Sequence, residues 1–266
     1  MEYLQYAFFR NALIGILIIS VAAAMIGTYI TTRRMVSITG GITHACFGGL
    51  GLGYFLGINP VAMAAVFAVA SSLGVEWVAT RYRVREDSAI AVIWSLGMAI
   101  GILFVFLTPG YVPELNGFLF GNILTISTND LWMFGGFTAV LILFFLLFYR
   151  TLLACAFDSD FAKVIGLPVK PINYAMTVLV AVCIVLTIRL VGIMLLIAML
   201  SMPILIAEIW CKRFFTIMMT AIAVSVVSCT AGLFIATVID VPCSAIIVLM
   251  QAAVYSVARV IRDLTH

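Results

Sequence analysis

Long apolar stretches recur along this chain, and the basic residues fall between them at every second gap. The stretches lie near 10–32, 41–57, 60–80, 88–107, 130–149, 172–189, 191–208, 214–238 and 243–259. A helix crossing a bilayer needs about 20 mostly apolar residues, so each stretch reads as a span. The second and ninth are short, and merging them differently gives eight. The fold expected is all-α and polytopic, with eight to nine transmembrane helices.

Arg33-Arg34, then Arg81, Arg83 and Arg85, then Arg150, Lys163 and Lys170, then Lys212-Arg213, then Arg259 and Arg262 mark alternate segment ends. The opposite ends carry Asn59-Pro60, Pro109-Gly110, Glu114 and Asp240. Lys and Arg are retained on the cytoplasmic side of a membrane, which places the N-terminus outside and the C-terminus in the cytoplasm. Arg10 and Arg189 are exceptions at outer ends.

Composition excludes several classes. Charged residues make up 9% of the chain and the mean hydropathy is +1.27, against about 25% charged in a soluble domain. The net charge of +3 comes from dispersed residues and does not suggest a nucleic-acid partner; the lipid bilayer is the surrounding phase. Glu2 stands where a signal peptide would be basic, and the first apolar stretch is long enough to span, so no cleaved signal is expected. The six cysteines lack C-x-x-C spacing and read as small apolar residues at helix interfaces. No P-loop, no H-E-x-x-H and no polar block of domain length occurs. Residues 1–266 therefore read as one transmembrane domain, and any ATP hydrolysis belongs to another chain. The paired carboxylates or Ser/His/Asp sets of an enzyme are missing as well, so the chain is expected to be non-catalytic, without a bound cofactor.

Two connections exceed a turn. On the outer side, 108–130 is long and apolar, and Phe118, Leu119, Phe120, Ile123 and Leu124 suggest a short helix at the outer interface. On the inner side, 150–171 contains a miniature helix. Asp158 suits an N-cap, Asp160 suits the positive end of the first turn, Gly166 is a left-handed stop, and Pro168 forbids continuation. Phe161 and Ile165 are four residues apart and share a face. Such a helix is either a connector or a docking element for a cytoplasmic partner.

The second stretch carries the chemistry. Gly49, Gly53 and Gly57 form a tandem G-x-x-x-G, a packing surface for another helix. Gly40, His44, Gly48 and Gly51 share a neighbouring face at helical period. A histidine there could reach a space between helices and offer a neutral nitrogen to a divalent metal, or donate to a carbonyl and serve structure alone. Asp240 could attract cations at an outer entrance, though a loop turn explains it equally. Glu76 and Glu208 read as partners of Arg81 or Lys212, or as snorkelling groups. Met199 and Met202 read as packing, and Pro203 directly after Met202 could divide the seventh stretch into two halves.

RRMVSITGGITHACFGGLGLGYFLG resembles the RRM…GD…(S/A)HA…G signature of the permease subunit of zinc, manganese and iron ABC importers. EDSAIAVIWSLGMAIGILF, FLFGNILTISTNDL, FDSDFAKVIGLPV, VGIMLLIAMLSMPILIA and DVPCSAIIVL are similar to further stretches of that family in the same order. The resemblance implies the fold of a type II ABC importer permease in the cell's inner membrane. It implies a homodimer on two ABC ATPase subunits, fed by an extracytoplasmic metal-binding protein, with divalent metal as cargo. His44 is then a contact on the translocation pathway, and Asp158, Phe161, Ala162, Ile165 and Gly166 belong to the element coupling the permease to its ATPase.

The chain departs from the family at one position, Gly40, where an aspartate usually stands one turn before the histidine. His44 then offers a borderline nitrogen without the hard oxygen. Either another group completes the site or binding is weak, which a conduit tolerates because ions must also leave. A permease for chelated metal, of the siderophore or cobalamin type, is the alternative importer. A stand-alone secondary transporter is the alternative class, but it calls for ionisable groups deep in the membrane, and His44 has little company there.

Overall fold

The computed structural model describes residues 5–82, 86–109, 121, 123 and 126–265. Along these run α1 (Ala7–Thr32), α2 (Val36–Leu56), α3 (Pro60–Tyr82), α4 (Glu86–Leu107), α5 (Thr128–Phe157), α6 (Ser159–Val164), α7 (Val169–Trp210), α8 (Phe214–Ile239) and α9 (Cys243–Thr265). No strand occurs among the described residues. All nine apolar stretches are helical. Eight helices among the described residues are long and apolar enough to cross a membrane, the two arms of α7 counting separately. The ninth is α2. Its 21 residues reach about 30 Å at 1.5 Å each, but its glycines dilute its hydropathy.

The long α7 is two spans. Asn173 Oδ1 accepts from the Tyr29 hydroxyl at 3.4 Å, and the Leu200 carbonyl lies against Gly27. In a straight helix these two α7 residues would stand about 40 Å apart, yet they meet α1 residues two positions apart. The chain folds back at Gly192, whose φ of 77° and ψ of 173° suit a residue without Cβ. The turn falls at the boundary between the sixth and seventh stretches, whereas Pro203, which could have divided the seventh, stays inside the second arm without non-helical dihedrals. Met199 is fully buried in the core, as packing.

α1 and the second arm of α7 form the centre. α1 packs on α5, α7 and α8; α2 packs on α3, α4 and α7; α9 closes against α7 and α8. The expected interfacial helix within 108–130 lies mostly outside the described residues. Its described positions fold onto the bundle: Ile123 and Ile126 are buried, Asn11 Nδ2 donates to the Ile126 carbonyl at 3.1 Å, and Gly121 (φ 65°) lies against the Val191–Gly192 backbone.

In the second long connection, 150–157 is not loop. α5 runs through it to Phe157, with non-helical dihedrals only at Phe148. Carboxylate pairing also differs from expectation. Glu76 Oε2 accepts from the Thr177 hydroxyl at 2.9 Å; Arg81, five residues on, points about 140° away around the helix. Glu208 makes no ion pair with Lys212, which lies beyond the end of α7. Among the described residues the ion pair within 4 Å is Lys163–Asp160. All six cysteines are free, and Cys46, Cys155, Cys183 and Cys229 are buried, in keeping with interface packing.

Candidate functional site

α2 is held by glycines. A Cβ on Gly51 would fall 2.8 Å from Gly101 Cα of α4, and one on Gly49 would fall 2.7 Å from Ala64 Cα of α3. Gly53 meets Pro60 in the same way, and Gly97 of α4 meets Ala45. Glycine faces therefore bring α2 into backbone contact with two neighbours. Gly57 is the exception in the tandem: it is the left-handed C-cap of α2 (φ 67°) with nothing within 4 Å of its Cβ position.

The stripe of Gly40, His44, Gly48 and Gly51 divides. Its half toward Leu56 is filled, Gly48 by Phe67 and the Gly97 carbonyl and Gly51 by Gly101. Its half toward Val36 is open. A Cβ at Gly40 would meet nothing within 4 Å, and His44 is half-buried. The imidazole stacks on the Trp94 indole of α4, centroids 4.4 Å apart and planes within 2°, with Phe47 at 6.3 Å on α2. Stacking holds the ring by its face and leaves its nitrogens at the edge. Nδ1 is buried with no hydrogen-bond partner. A neutral imidazole nitrogen with no protein partner is a competent ligand for a borderline divalent metal.

Asp240 sits elsewhere. It caps α8 in the left-handed region (φ 57°, ψ 52°) and is exposed. With Thr237, Ser244 and Phe8 it lines a cavity of about 220 Å³ at the end of the bundle opposite Arg33. His44 and Asp240 belong to helices on different sides of the bundle. Among the described residues no three of His, Cys, Asp and Glu gather as a metal site.

The miniature helix is α6. Asp158 Oδ1 accepts from the Asp160 and Phe161 amides at 3.0 and 2.9 Å, while its own amide donates to Ala154 O at 2.9 Å. Lys163 Nζ lies 2.8 Å from Asp160 Oδ1, and that ammonium holds the Asp160 carboxyl below the usual carboxylate range. Gly166 (φ 80°) donates to Lys163 O, and Leu167 donates to Ala162 O at 3.0 Å, which is a Schellman stop. Ala162 is fully buried, whereas Phe161, Val164 and Ile165 are exposed by 59%, 84% and 53%. The helix anchors on its alanine and presents three large apolar side chains outward.

Residues 5–262 match the profile of the ABC 3 transport family. The chain belongs to that family. An uncharacterized membrane protein of Synechocystis is 36% identical over 98% of this chain and 93% of its own length. The manganese transport system membrane protein MntC of Halalkalibacterium halodurans is 31% identical over 97% of this chain and 88% of its own. Among solved structures, PsaBC from Streptococcus pneumoniae in complex with Fab contains a chain that superposes with a TM-score of 0.84 at 27% identity, covering 97% of this chain and 94% of that one. The ABC 3 fold thus extends along nearly the whole chain.

Several polar contacts of this family member escaped the sequence, two of them between helices. Arg33 Nη1 donates to the Tyr29 hydroxyl at 3.1 Å, continuing to Asn173, and buried Gln251 Nε2 donates to Ser228 Oγ at 3.2 Å. An amide or carboxylate inside an apolar stretch is the available signal, but it does not name a partner far away in the chain.

Proposed function

We propose that this chain is the membrane-spanning, non-catalytic subunit of an ABC importer for divalent metal ions, with zinc, manganese or iron as cargo. The observation carrying this is His44: a half-buried imidazole with an unpartnered nitrogen, beside an unfilled turn, inside a chain of a transport family. The MntC relative, named for manganese transport, supports the cargo class.

One chain supplies one nitrogen, so the pathway is completed by a second copy. His44 and Trp94 are both partly exposed, and a two-fold axis beside α2 and α4 brings two imidazoles to face each other. Two neutral nitrogens without a carboxylate hold an ion loosely enough to release it. The basic end of the bundle is cytoplasmic by the distribution of Lys and Arg, which puts the N-terminus outside and the C-terminus inside. The extracytoplasmic binding protein then delivers cargo at the Asp240 end. ATPase subunits dock on Phe161, Val164 and Ile165, and α6 transmits their closure to the pathway, which alternates between outward and inward access.

The test is reconstitution of the permease with its ATPase in liposomes, following uptake of each metal against ATP hydrolysis. Phe161→Ala, which removes an exposed aromatic anchor, is expected to weaken ATPase docking about 30-fold and to abolish uptake while the melting temperature of the permease is unchanged. Retention of the ATPase by this variant with full uptake would remove α6 from the coupling role.

A further inference from the structure

Where α1, α5 and α8 meet, the flank of the bundle carries a groove of about 390 Å³ lined by apolar atoms alone. Val21 and Met25 form its floor, Phe145 and Leu146 one wall, and Met218 and Met219 the other. Tyr149 closes one end: its ring lies 6.2 Å from Phe214 and 6.5 Å from Phe215. Arg150 follows Tyr149 directly, and Lys212-Arg213 precede Phe214 directly. All three cations are exposed, and none has a carboxylate within 4 Å among the described residues.

We propose that this groove holds an acyl chain of an anionic phospholipid whose phosphate sits on Arg150 and Arg213. The dry lining excludes any ligand that needs a hydrogen bond along its length. The flexible thioethers of Met25, Met218 and Met219 suit a chain of variable conformation. The charged end decides the headgroup. Arginine presents a planar fork that matches phosphate oxygens, and near a membrane surface each cation favours an anionic lipid by a factor of about five. The same charges argue against a second copy of this chain, because a two-fold contact through this flank would bring two sets of three like charges together. The assignment is independent of the cargo and of the second copy at His44.

Purified full-length protein in detergent is titrated with phosphatidylglycerol or phosphatidylcholine, with bound lipid counted by native mass spectrometry. Phosphatidylglycerol is expected to bind more tightly. The Arg150→Gln/Arg213→Gln double variant should lose about 30-fold of that preference, with an unchanged melting temperature in lipid-free detergent. Met219→Trp, which fills the groove, should lose both lipids. A double variant that keeps its preference overturns the headgroup assignment. A Met219→Trp chain that still binds phosphatidylglycerol as the parent does overturns the groove as its seat. If Met219→Trp instead separates a dimer while lipid binding persists, the groove is a protein interface. Should Met219→Trp fail to fold, the charge variant alone decides.

Discussion

His44→Ala is expected to abolish metal uptake, to below a hundredth of the parent rate, with the protein still folded in the membrane. The imidazole makes no hydrogen bond through Nδ1 and is only half-buried, so its removal costs the stack on Trp94 and little else, about 1 kcal/mol of stability. On the proposed pathway it removes the borderline nitrogen that would replace hydration water around a divalent ion, in both copies of a proposed dimer. Uptake assays under controlled zinc, manganese and iron, with melting curves of the purified chain, separate the two effects. Unchanged uptake of all three metals would make His44 a structural residue.

Gly40→Asp carries the complementary expectation. A Cβ there meets nothing within 4 Å, so the carboxylate enters without strain and lies one turn from the imidazole. A charge-assisted ligand contributes about 1.5–3 kcal/mol, or roughly 10–150-fold in affinity. Metal retention should rise and the rate of release should fall. Equal retention in parent and variant would mean that the open side of Gly40 does not face the pathway.

Gly51→Val is expected to leave no folded permease at growth temperature. The added atoms would lie against the Gly101 backbone, with its Cα 2.8 Å from the Cβ position, and backbone cannot turn aside as a side chain can. Overpacking ordinarily costs about 1–3 kcal/mol, and here the relief is separation of α2 from α4 along the whole seam. Gly40→Ala is the control: it meets open space and should stabilise the helix by about 0.5–1 kcal/mol. Size-exclusion profiles and melting curves of the two chains should diverge sharply. Comparable profiles would show that the seam opens easily.

The apolar stretches were legible because length and hydropathy alone decide what crosses a bilayer, and every stretch is a helix. The α6 caps were legible for a similar reason: Asp158, Gly166 and Pro168 act on backbone within a few residues. The rest depended on neighbours distant in the chain. Helical period put Gly40, His44, Gly48 and Gly51 on one face, but Phe67 of α3 and the backbone of α4 fill that face beside Gly48 and Gly51, while nothing lies within 4 Å of a Cβ at Gly40 even though Ile90 of α4 packs on its neighbour Gly41. Trp94 stacks on His44 from fifty positions away, and no local pattern announces it. The partner of Glu76 was sought among the nearest cations, whereas a threonine on α7 lies on the correct side. The turn at Gly192 lies where the sixth and seventh stretches were already separate, while Pro203, a possible break within the seventh, stays helical because neighbouring helices hold it.

Asp158 ends α5 and begins α6 in a single residue, accepting amides from one helix while donating to a carbonyl of the other. No slack residue separates them. A push on α6 therefore enters a 30-residue rod without backlash, and the rod's far end is itself pinned by the Ser127–Asp130 capping box. The one soft point along it is Phe148. Force applied at the basic face then has two outlets, axial displacement felt at the opposite face or bending at Phe148, and the stiffness of that joint sets how the stroke is divided.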